Sequence, residues 1–152
     1  MNALRKRVTT AASIGAAVLS FSSVAFASHE LENRDIVSGK VLYSEHCAAC
    51  HGANLEGQPN WQATNDDGRL PAPPHDHTGH TWHHDNQLLF DYTRLGGAEA
   101  LARRGIEGFN SGMPAFSDVI GDEEIWEILA FIRSTWPDRV QEIQAARNPP
   151  HR

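Results

Sequence analysis

Two thiols and an imidazole stand together in Cys47-Ala48-Ala49-Cys50-His51, and the 152-residue chain has no other cysteine. Three chemistries compete for this spacing. A disulfide would suit an exported protein. A dithiol redox pair normally sits where a strand runs into a helix, and nothing here reads as a sheet. The third is covalent attachment of a haem. Two thiols on one helical turn add to the two vinyl groups, and the adjoining imidazole reaches the iron from the same side. A zinc site would want a second Cys or His pair at ligand spacing, and no second cysteine pair exists. Haem attachment uses all three residues. The expected cofactor is therefore one covalent haem c, with Cys47 and Cys50 as thioether donors and His51 as an axial iron ligand.

A low-spin iron needs a second strong axial ligand. Apart from Met1, the one methionine is Met113, in Asn110-Ser111-Gly112-Met113-Pro114-Ala115-Phe116. A lone Met is usually core filler. This one sits in a loop bounded by Gly and Pro, and Pro114 restricts both itself and the residue before it. A thioether stabilises ferrous iron and raises the potential. Met113 is read as the sixth ligand, with a histidine as the competing candidate.

With these motifs in place, the sequence resembles a class I c-type cytochrome. Gly39 and Tyr43 lie eight and four residues before Cys47. In that family a small residue and an aromatic at those spacings form the face of the N-terminal helix that crosses the C-terminal helix. Ile128-Leu129-Ala130-Phe131-Ile132 is similar to the family's apolar-aromatic crossing element. The resemblance spans roughly residues 35–137. It implies an all-α cytochrome c fold, three to five helices around a covalently bound haem, here with a long loop insert. The stretch 57–85 departs from the smallest members. It resembles a bacterial subgroup with a Pro/His-rich insert such as Leu70-Pro71-Ala72-Pro73-Pro74-His75-Asp76 and Gly79-His80-Thr81-Trp82-His83-His84.

The elements that must position these residues are legible by local rules. Asp35 or Ser38 can cap a helix running to about Ala49, with Ile36, Val37, Val41 and Leu42 apolar. Residues 53–84 show no clean period and read as loop. A loop that long in a compact domain is usually functional or tied down by a ligand. Asp85 looks like the N-cap of a helix through about Leu95, with Leu88, Leu89, Tyr92 and Leu95 on one face. Gly96-Gly97 stops it, and residues 98–104 read as a further turn of helix. The methionine loop covers 105–121. Asp122, Glu123 and Glu124 place negative charge on the first turn of the last long helix, where the dipole favours it. Ile125, Ile128, Leu129 and Ile132 form its apolar stripe. Pro137 breaks it, and residues 138–147 read as a short amphipathic helix. Leu55, Leu70, Phe90, Phe109 and Phe116 are candidate haem-pocket side chains.

Residues 1–27 carry a basic start, an apolar run and Ala25-Phe26-Ala27, the pattern of a cleavable secretory signal. The expected organisation is signal 1–27, polar lead-in 28–34, cytochrome domain 35–137 and extension 138–152. Removal of Arg5, Lys6 and Arg7 with the signal takes the formal net charge from −6 to −9. That balance excludes a nucleic-acid binder acting through bulk positive charge. The apolar run is too short and Ser-rich for a comfortable membrane span. The expected location is the periplasm or otherwise outside the cytoplasm.

These features predict a monomeric single-haem electron carrier and not an enzyme. It would pass one electron between periplasmic or membrane partners, a donor and an acceptor, without spanning the membrane after signal cleavage. An acidic surface favours a partner with a basic docking face. The alternative is a haem- and metal-binding accessory or sensor protein, based on His75, His77, His80, His83 and His84 with Asp76 and Asp85; such clusters bind copper, nickel and zinc. Against it stands a structural use of the insert, in which His75, His80, Trp82, His83 and His84 fold over the haem edge and hydrogen-bond propionates or backbone.

Overall fold

The computed structural model describes residues 30–148. The expected signal and the last four residues lie outside them. Six α-helices follow one another among the described residues, with no strand: α1 Ile36–His46, α2 Ala48–His51, α3 Asn86–Leu95, α4 Gly97–Ala102, α5 Asp122–Ser134 and α6 Asp138–Ala145. A single 3-10 turn, Thr81–His83, interrupts the long loop. The expected first helix is split at Cys47, whose backbone ends α1 and starts α2. Its N–H still reaches the Tyr43 carbonyl at 2.9 Å, so the chain bends without losing its hydrogen-bond ladder.

The three longest helices, α1, α3 and α5, start where a side chain bonds a free amide. The Asp35 carboxylate accepts from the Val37 and Ser38 amides at 2.9 and 3.0 Å. Asp85 accepts from the Leu88 amide at 2.7 Å. Glu124 reaches back to the Gly121 amide at 2.6 Å, and Asp122, Glu123 and Glu124 place their charge on the first turn of α5. Gly96, at φ +79, ends α3 and turns the chain into α4.

The organising contact is the crossing of α1 over α5. Gly39 faces Glu127 and Phe131 so closely that no β-carbon fits there. One turn on, the Tyr43 and Phe131 rings meet with centroids 5.6 Å apart. Ile125, Ile128, Leu129 and Ile132 are all buried, as their stripe predicts. Phe90 from α3 stacks on Trp126 at 4.3 Å and ties α3 to the other face of α5. The inward face of α1 is the one the family resemblance implies, and most of its apolar residues lie off it. Ile36, Val37 and Val41 are exposed, and the helix buries Gly39 and Tyr43 instead. Close approach at Gly39 decides which face turns inward.

The short helix α6 docks on the 3-10 turn. Its Gln144 is buried and donates to the Asn86 side-chain oxygen at 2.7 Å and the His84 carbonyl at 3.3 Å. Asn148 accepts from the Asn86 amide at 2.7 Å. These bonds satisfy a buried amide cluster that would otherwise cost about 1–3 kcal/mol per unmade partner.

Candidate haem site

Cys47 is buried, Cys50 is exposed, and both are free thiols. They occupy one turn: the Cys50 and His51 amides both donate to the Cys47 carbonyl, at 3.1 and 2.9 Å. Burial, with the Cys50 charge as a second cause, pushes the Cys47 thiol up to about 11. A dithiol oxidoreductase depends on a thiol lowered towards neutrality. This environment acts in the opposite direction.

His51 is 7% exposed. Its Nδ1 lies 2.8 Å from the Pro73 carbonyl oxygen. A carbonyl can only accept, so Nδ1 carries the proton and Nε2 keeps its lone pair. Burial pulls the imidazole below its ordinary range, and the bond to Pro73 offsets part of that. The ring is thus neutral and oriented, the state a metal ligand needs.

The Pro73 carbonyl is delivered by a tightly held segment. A β-carbon on Gly57 would strike the backbone at Pro73 and Pro74, and one on Gly79 would strike the Pro74 carbonyl. The proline run therefore threads between two glycines, stiffened by its own rings. Gly57 also donates to the His51 carbonyl at 2.7 Å, which closes the loop on the motif.

Met113 is half-buried in the loop between α4 and α5. Its amide donates to the Ser111 hydroxyl at 3.1 Å and its carbonyl accepts from the Gly97 amide at 3.2 Å. The Phe116 and Ser117 amides donate to the Thr93 and Arg94 carbonyls, both at 3.1 Å. The loop is therefore clipped to the corner between α3 and α4. The Tyr92 ring and the Ser111 hydroxyl both crowd Gly97 at that corner, a role the apolar stripe on α3 did not reveal.

The insert distributes its histidines among different ring partners. His75 stacks on His51, with ring centroids 3.8 Å apart and planes 18° apart. Its imidazole is pulled well below its ordinary range by burial, with His51 and His80 adding to the effect. His80 stacks on Trp61 at 5.3 Å and meets His84 edge-on at 5.3 Å. His83 packs against Trp82 at 3.8 Å, and Trp82 Nε1 donates to the His77 carbonyl at 3.2 Å. Trp82 thus finds a backbone partner within the insert. Among the described residues no three His, Cys, Asp or Glu side chains gather as a metal-holding group. The turn at Asp76–Gly79 parts His75 from His80, while the turn at Thr81–His83 brings His80 and His84 edge to face.

Of the candidate pocket side chains, Leu55 and Phe90 are buried and Phe116 is partly buried against the core. Leu70 and Phe109 stand at the surface, 44% and 37% exposed. Trp136, which the sequence reading passed over, is buried and donates from Nε1 to the His75 carbonyl at 2.7 Å. A buried indole N–H requires a partner, and that was the available signal.

The donor set fits a c-type haem: two free thiols on one turn, and a neutral imidazole with Nδ1 committed and Nε2 free. Together with the strandless helical fold and the α1–α5 crossing, it defines the class, a class I c-type cytochrome domain. The family model described as cytochrome C oxidase, cbb3-type, subunit III matches residues 34–132, and the chain belongs to that family. No curated protein and no solved structure matches it. Haem-based electron transfer is the chemistry of this class.

Proposed function

We propose that the protein is a single-haem electron carrier working outside the cytoplasm, with Cys47 and Cys50 holding one haem c and His51 and Met113 as axial ligands. The observation that carries this reading is the Nδ1–Pro73 hydrogen bond, which leaves His51 Nε2 for iron on the turn that bears both thiols. Bound haem supplies the one-electron iron centre. The thiols bind it, the Pro73 carbonyl orients His51, and the α3–α4 corner holds the Met113 backbone. His51 and Met113 would together hold the iron of the bound group, which supports a carrier over an enzyme. No helix among the described residues is long and apolar enough to cross a membrane. The basic start, the apolar run and Ala25-Phe26-Ala27 support reading residues 1–27 as an export signal, with periplasmic or membrane proteins as donor and acceptor. The family description supports an oxidase as one class of partner.

Replacing Met113 by Ala tests the ligation. The oxidised wild type should show a far-red sulfur-to-iron charge-transfer band, and the variant should lose it and show a lower potential. An unchanged band and potential in Met113→Ala would assign the sixth position to another residue.

A further inference from the structure

We propose that His75 is a positioning residue for His51: its imidazole fixes the plane of the His51 ring by face-to-face stacking, while the Pro73 carbonyl fixes the edge. This rests on the reading of His51 as an axial ligand.

A single hydrogen bond to Nδ1 leaves the ring free to swing about the N–H···O axis. A flat partner 3.8 Å away and nearly parallel opposes that swing. Both constraints come from one short segment, because His75 follows Pro73 by two residues. His75 is itself immobilised on every side. Its amide donates to the Leu55 carbonyl at 2.8 Å, and its carbonyl accepts from Trp136 Nε1 at 2.7 Å. The edge of its ring meets Tyr43 at 5.9 Å between centroids. The stack is therefore backed by the buried Tyr43–Phe131 contact and by the indole beyond the end of α5. Its Nδ1 is sealed from solvent with no hydrogen-bond partner. Outer-shell groups that orient a ligating histidine are a recognised part of metal-site construction.

The test uses the full exported holoprotein and variants that separate face from nitrogen. The hyperfine-shifted haem methyl resonances of the oxidised protein report the orientation of the axial imidazole plane. His75→Phe keeps a flat ring and should keep the wild-type order of those resonances. His75→Leu and His75→Gln lose the flat face and should reorder them and shift the reduction potential. Ile128→Val, a core truncation on α5 with no ring to stack, should lower Tm and leave the order unchanged. A wild-type pattern in His75→Leu would overturn the proposal. So would a pattern in His75→Phe as altered as that of His75→Leu, which would place the effect in the nitrogen. If neither the Leu nor the Gln variant folds, His75→Phe decides alone: a retained pattern supports the stack and an altered one overturns it. Absence of low-spin hyperfine-shifted methyls in the wild type would instead overturn the ligation reading.

Discussion

Gly39 of α1 lies directly against the Glu127 carbonyl of α5, and a β-carbon at position 39 would collide with that backbone. Elsewhere on a helix, Gly to Ala gains about 1 kcal/mol of propensity. Here the obstacle is backbone and cannot rotate away, so the helices must part and loosen the Tyr43–Phe131 contact. Overpacking of this kind costs about 1–3 kcal/mol. Gly39→Ala should melt several degrees below wild type, whereas Lys40→Ala on the exposed side of α1 should stay within about 0.5 kcal/mol. Paired thermal melts check this, and a Gly39→Ala variant as stable as wild type would contradict the crossing.

Asp85 links the insert to α3 and should make stability depend on acid. Burial alone would raise its pKa, but the Arg104 hydrogen bonds, the Leu88 amide and the Arg104 charge outweigh it and hold the carboxyl below its ordinary value. Arg104 is bidentate, at 3.1 Å to each oxygen. A depressed folded pKa gives stability that is present above the unfolded value of about 3.9 and lost as pH falls through the folded value. Asp85→Asn keeps a good cap and loses the ion pair. Denaturant melts should show it less stable than wild type at pH 7, with the gap closing below about pH 4. A gap independent of pH would point to packing alone.

The insert histidines should not form a second metal centre. His80 is engaged by Trp61 and His84, and His83 by Trp82. Titration of the holoprotein with Cu²⁺ or Zn²⁺ should give weak binding without a defined stoichiometry. Replacing His80 and His83 together should lower Tm and shift the haem potential. Stoichiometric, pH-dependent binding abolished by that double variant would restore the metal-handling reading.

Where the chemistry is local, the sequence is readable. The attachment motif must place two thiols and an imidazole on one turn, so its spacing shows directly. Asp35, Asp85 and Gly96 act on amides within their own turns, and the helices they bound fall close to expectation. The Gly39 and Tyr43 positions came through family resemblance, because the crossing joins residues far apart in the chain. The insert is where local rules stop. Nothing in Pro73-Pro74-His75 says that one residue will hold the edge of His51 and another its face. That depends on glycines at 57 and 79 and on Trp136, brought in from distant segments. Likewise nothing in five nearby histidines says that His75 will pair with His51, His80 with Trp61 and His84, and His83 with Trp82.

The central claim is that Cys47 and Cys50 bind haem covalently, and mass spectrometry of the exported protein tests it most directly. The account predicts that, under denaturing conditions, the chain carries the mass of one haem, localised to the peptide containing Cys47–His51. On a denaturing gel the haem should migrate with the polypeptide, and each single Cys→Ser variant should weaken its retention. Recovery of an unmodified chain, with haem released by acid-acetone or none bound, would contradict it.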